Sequence, residues 1–152
     1  MTYDVAATRQ ALLDAIAEAV GELAAALAAL GAAYELLDEH NADLLEAELF
    51  RPVQTAYGRL LRTHAAFAER HGLPGRSFQP ANAGAPSTGA HGFVELGVAA
   101  ALDADLTLSE LQDSLAPVEV GDPELRAGLA EVRTLIGPVE QRAARFLSAR
   151  GR

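Results

Sequence analysis

Two of the four histidines in this chain stand in one short stretch, residues 63–72, which reads THAAFAERHG. Histidine is the side chain that exchanges protons and binds metals near neutral pH. His64 and His71 are two helical turns apart, about 10.5 Å along a straight helix axis, too far for one metal ion to take both. On a wheel of about 100° per residue, Tyr57, Leu60, Leu61, Phe67 and Ala68 share the side of both histidines, while Arg59, Arg62, Glu69 and Arg70 lie opposite. A neutral imidazole is tolerated on such a face when its nitrogens find partners; a charged one is costly. His71 ends the segment, where a histidine can bond the last free carbonyls and meet the negative end of the helix dipole. His64 has no such role, and Tyr57 lies two turns before it. The candidate ligand-binding set is Tyr57, His64, His71 and His91, with His91 brought to His71 if their helices run antiparallel.

Many other chemistries are excluded. There is no cysteine, and all 12 basic residues are arginine. Disulfides, thiolate metal sites, a cysteine nucleophile, a Schiff-base lysine and the lysine-bearing phosphate loop are thereby removed. No ExxH or HExxH spacing occurs, and no serine sits in a GxSxG frame. Glu39, Asp43 and Glu46 with His40, approached by Asp103 and Asp105, have the donors for a hard divalent cation, although helix capping accounts for the same acids. No catalytic group, metal or cofactor is assigned. A net charge of −9 gives no electrostatic footprint for nucleic acid.

The elements that must position these residues are helical. Half the residues are apolar but only 5% are aromatic, so the core is built from Ala, Leu and Val, which favours close helix-on-helix packing. Leu13, Ile16, Val20, Leu23, Leu27, Leu30, Tyr34 and Leu37 form a seam of alternating three- and four-residue steps. Gly31 in that seam reads as a close helix contact. A second seam runs through Leu125, Leu129, Val132, Ile136, Val139, Ala143 and Phe146, with a kink expected at Gly137 and Pro138. Asp43 with Glu46, and Thr107 with Glu110, have the spacing of capping boxes. The sequence therefore predicts helices over about 4–39, 43–71 (kinked at Pro52), 91–103, 108–115 and 122–149, with a Pro/Gly-rich loop over 72–90 that Phe78 could pin to the bundle. One domain covers 1–152: an all-α, four-helix up-and-down bundle with an extra short helix before the last long one.

Charge alternates along the chain. Residues 1–50 and 81–121 are acidic, and residues 51–80 and 122–152 are basic, as neighbouring antiparallel helices would use to complement one another. The longest uncharged run of the first helix, residues 23–34, is too short for a membrane span, and residues 1–10 lack a signal-peptide pattern. Together with the absence of cysteine this predicts a cytoplasmic protein, and arginine without lysine points to a GC-rich bacterial genome. The functional expectation is a non-catalytic interaction module that self-associates as a homo-oligomer, or binds a protein partner, through its Ala/Leu-rich first helix. The alternative is a small-ligand- or metal-binding bundle, an enzyme among the options, using Tyr57, His64, His71 and His91.

Overall fold

Helix α1 (Val5–Glu35) begins where Asp4 supplies a cap, its carboxylate accepting the Ala7 backbone N–H at 3.2 Å. The computed structural model describes residues 4–114 and 116–150. Of the predicted α1 seam, Leu13, Ile16, Val20, Leu23 and Leu30 are fully buried, Leu27 and Leu37 are half-buried, and Tyr34 is exposed. The helix ends sooner than expected, with Leu36 as its last half-turn. Helix α2 (Glu39–Leu45) starts from Asp38, which accepts a 2.6 Å hydrogen bond from the Asn41 side chain. The predicted start at Asp43 is thus corrected: an earlier start puts Ala42 and Leu45 on the core side.

A π-helical turn (Glu46–Phe50) joins α2 to helix α3 (Arg51–Arg70), and the Arg51 N–H reaches five residues back to Glu46. Two facts of sequence explain it. Pro52 cannot continue an α-helical ladder without a clash one turn back, and Leu45, Leu49 and Val53 follow one another at four-residue steps. Regular α-helix would rotate that series off the core; the wider turn keeps all three buried. Helix α3 ends in a Schellman motif, with Gly72 at φ 66°, its N–H bonded to Glu69 and that of Leu73 to Ala68.

Helix α4 (Gly89–Asp113) is continuous where two shorter helices are predicted. Its buried series Val94, Gly97, Ala101, Ala104, Leu108 and Leu111 steps by three and four without interruption. Thr107 therefore sits inside the helix and donates to Glu22 at 2.7 Å instead of capping a new one. The extra short helix lies later, as α5 (Ala116–Val120). The last rod is α6 (Pro123–Ile136) followed by α7 (Val139–Arg150), parted at the expected Gly137–Pro138 site, and all seven predicted seam residues are buried.

The four long rods form an all-α bundle whose helix directions follow from residue pairs. Gly97 packs against Leu30 and Thr107 bonds Glu22, so α4 runs antiparallel to α1. Phe50 faces Gly31 and Tyr57 shares a cleft with Ala24 and Leu27, so α3 is antiparallel to α1 as well. Arg59–Glu131 and Arg70–Asp122 set α6 antiparallel to α3. Alternation holds for each of these packed pairs, but α3 and α4 run the same way. Residues 71–88 must therefore climb the length of the bundle. That is about 30 Å for a 20-residue helix, and the 18 residues of this crossover strap reach it readily, since extended chain covers roughly 3.3 Å per residue. The long Pro/Gly-rich segment is a topological requirement of the fold.

Gly97 is where a glycine is needed for close approach: a Cβ there would stand 2.8 Å from Leu30 Cγ and 3.3 Å from the Ala26 carbonyl. At Gly31, predicted to hold that role, a Cβ would meet only Phe50 at 4.0 Å. Helix α1 is long and apolar enough by composition to cross a membrane, and half of its most apolar window is buried within the bundle.

Candidate functional site

The face of α3 that carries Tyr57, Leu61, His64, Ala65 and Ala68 forms one wall of a cleft of about 500 Å³. The opposite wall is the strap, through Leu73, Arg76, Ser77 and Phe78. A second cleft of about 290 Å³ lies on the α1 side, lined by Ala24, Leu27, Ala28, Tyr57, Phe78, Pro80 and Ala81. The two share Tyr57 and Phe78, and together they make a groove along α3 that these two rings divide.

His64 lies at the floor of this groove, 2% exposed, with Nε2 buried and bonded to nothing among the described residues. The Phe78 ring stands edge-on to it, centroids 5.1 Å apart and planes at 87°. The Arg76 guanidinium lies 5.1 Å from the centre of that same Phe78 ring and takes no carboxylate partner among the described residues. Burial pushes the His64 pKa below the ordinary histidine value, Arg76 adds to the effect, and Asp14 on α1 opposes it. His64 therefore favours the neutral form, and its buried Nε2 is without a partner in the wall of the groove. An unpartnered buried polar atom of this kind costs about 1–3 kcal/mol until something bonds it.

Of the four candidate residues, the structure brings two together. Tyr57 and His64 line the same cleft. His71 is the C-cap residue of α3, but its side chain does not bond the last carbonyls, which the Schellman bonds satisfy; its Nε2 meets Asp122 Oδ2 at 2.9 Å. Asp122 is 5% exposed and also takes two guanidinium nitrogens of Arg70, at 2.8–3.0 Å, and the Leu125 N–H at 2.9 Å. Burial alone would raise its pKa, but these bonds outweigh burial and hold the carboxyl below its usual range. The cluster is a latch between α3 and α6. His91 is exposed and pairs with Glu95 at 2.7 Å. It lies at the opposite end of the bundle from His71 because α4 is parallel to α3, so the expected His71–His91 pairing is lost to topology. The acidic corner is dispersed likewise: Asp105 pairs with Arg133 at 2.8 Å, and Asp103 stands near Glu22. Among the described residues no three His, Asp or Glu side chains gather closely enough to hold a metal ion.

Comparison with protein-family models, curated proteins and solved structures finds no match. The groove must be read from its own chemistry. Helical periodicity does not reach Arg76 and Ser77, which lie in an irregular segment, and marks Phe78 only as an anchor.

The His64 environment predicts a stability profile. The unfolded chain takes up the histidine proton near pH 6.5, whereas folded His64 resists it. Unfolding is thus favoured as pH falls from about 6.5 toward the lower folded value, and the full contribution is present above that window. Urea titrations of wild type and His64→Leu between pH 7.5 and 5 should show the wild type losing more stability than the variant. Parallel curves would contradict the assignment.

Proposed function

We propose that this protein is a non-catalytic, cytoplasmic small-ligand-binding helical bundle whose site is the groove between α1, α3 and the strap. One observation carries the reading: a buried imidazole nitrogen without a partner, in the wall of a cleft of ligand size. Apolar walls from Leu61, Ala65, Ala68 and Leu73 stand beside the polar side chains of Tyr57, His64, Arg76 and Ser77, a mixture that could hold and orient a ligand. A catalytic role lacks support, since His64 has no nucleophile or carboxylate bonded to it among the described residues.

Self-association through α1 is the second reading. Its support is the length and apolar composition of that helix, yet the seam that would mediate it is covered within the chain by α3 and α4. The groove is accordingly preferred. Sedimentation velocity showing a monomer at all concentrations would remove the second reading.

The test of the first is a fragment screen by two-dimensional protein NMR. Binding fragments should perturb residues 57–78, and Ala65→Trp, which fills the cleft from an exposed position, should abolish those shifts while leaving the helical circular dichroism unchanged. Hits elsewhere, or hits indifferent to Ala65→Trp, would overturn it.

A further inference from the structure

The groove already holds a ring. Phe78 sits in it between His64 and the Arg76 guanidinium, and with Tyr57 it lines the clefts on both sides. Its hold on the place is light. Among the described residues no backbone–backbone hydrogen bond ties residues 74–84 to the bundle; the nearest are Leu73 to Ala68 and Thr88 to Ala85. The strap is kept down by side chains, Leu73, Phe78 and Ala83, packed half-buried against the core. With Phe78 in place, His64 Nε2 is buried without a partner among the described residues.

We propose that Phe78 is a built-in stand-in for the ring of a small aromatic carboxylate, which displaces it, puts its own ring in the groove and sets its carboxylate between His64 Nε2–H and Arg76. This rests on the reading of the groove as a binding site and names its ligand class. A phenyl ring is the group the groove demonstrably accommodates. The head group follows from the two polar atoms at its edge: a neutral imidazole that can donate one hydrogen bond and a guanidinium with no carboxylate of its own. An ammonium head would meet the Arg76 charge, and a hydroxyl would leave it uncompensated. Glu69 also lines the cleft, but it is exposed and its charge is solvated. The place of the ring is open to a ligand only while Phe78 is out, so apparent affinity is reduced to the fraction of time it is vacant.

The test uses the full chain and three probes that differ only in the head group: 3-phenylpropionate, 3-phenylpropanol and 3-phenylpropylamine, titrated by NMR at pH 7. The acid should bind best, with shifts at Tyr57 and His64. Phe78→Ala should tighten it by roughly tenfold, as expected for a plug that occupies the groove about nine-tenths of the time. Arg76→Gln should weaken it by roughly two- to fivefold, in keeping with an exposed ion pair, and erase the preference over the alcohol. Phe78→Leu, which keeps an apolar anchor on the strap, should fall between wild type and Phe78→Ala. The inference is overturned if Phe78→Ala and Phe78→Leu bind the acid no better than wild type, or if the three probes bind alike. Equal binding with shifts at Tyr57 and His64 would leave the groove reading standing and remove only the carboxylate. Absence of those shifts in every variant would remove both.

Discussion

Replacing Asp122 by alanine should destabilise the protein by about 2–4 kcal/mol, the larger part from removing the buried carboxylate that joins Arg70 and His71 and the remainder from the lost helix cap. Asp122 serves three partners at once: the α6 N-terminus through Leu125, and the end of α3 through Arg70 and His71. A chain of this length loses about 2–4 °C in Tm per kcal/mol, so the midpoint should fall by roughly 5–15 °C. Asp122→Asn keeps a good capping acceptor but surrenders the charge, and should cost about half as much. Glu124, the other carboxylate on Arg70, is 75% exposed, and Glu124→Ala should be nearly silent. Because the folded Asp122 carboxyl titrates below its unfolded value, its contribution is complete above about pH 4 and disappears as pH falls through the folded value. Differential scanning calorimetry at pH 7 and pH 3 checks both halves of the statement: the wild-type advantage over Asp122→Ala should shrink at the lower pH.

Gly128→Ala is the second large effect, and its sign runs against helix propensity. In an isolated helix the change would stabilise by about 1 kcal/mol. Here the new Cβ would collide with Thr63 Oγ1 and stand 2.9 Å from its Cγ2, where α6 packs against α3. Thr63 cannot step aside freely, since it is buried, donates to the Arg59 carbonyl at 2.9 Å and accepts from the Arg59 guanidinium at 3.1 Å. Overpacking of this kind costs about 1–3 kcal/mol or more. Thr63→Ala removes both clashing atoms and leaves only the Thr63 Cβ, at 3.2 Å. The double variant Thr63→Ala/Gly128→Ala should therefore be more stable than Gly128→Ala alone, an opposite-sign coupling that a double-mutant cycle in urea measures. A Gly128→Ala protein as stable as wild type would show that α3 and α6 do not approach so closely.

The parts of the fold legible in the sequence are those carried by long hydrophobic repeats. The seam from Leu125 to Phe146 is buried at every predicted position, and that of α1 at most of them. Local signals misled where they competed with such a repeat. Thr107 with Glu110 has the spacing of a helix start, but the three-and-four stepping from Val94 to Leu111 passes through it and prevails. The end of α1 was misplaced for a related reason: Tyr34 and Leu37 continue the heptad on paper, yet the core has ended and the chain turns at Leu36.

Helix direction was beyond local reading. Nothing in residues 72–90 says whether the chain doubles back or climbs the bundle, and that choice decides which histidines meet. His71 and His91 were candidates for one end and stand at opposite ends. The His91–Glu95 pair had a readable signal, a four-residue spacing on one helix face. Within the groove, Tyr57 and His64 could be found because helical periodicity places both on the apolar side of α3. Arg76 could not, since it reaches the site from irregular chain.

The proposed binding groove stands or falls with His64, whose buried Nε2 has no partner among the described residues. The most direct measurement is the ring 15N spectrum of His64, followed first against pH and then during titration with a fragment that perturbs Tyr57. Expected are a His64 that titrates below the ordinary histidine value, an unpartnered Nε2 in the unliganded protein, and a change at Nε2 when the fragment binds. A His64 that titrates at the ordinary value, or an Nε2 resonance indifferent to every fragment in the groove, would contradict it.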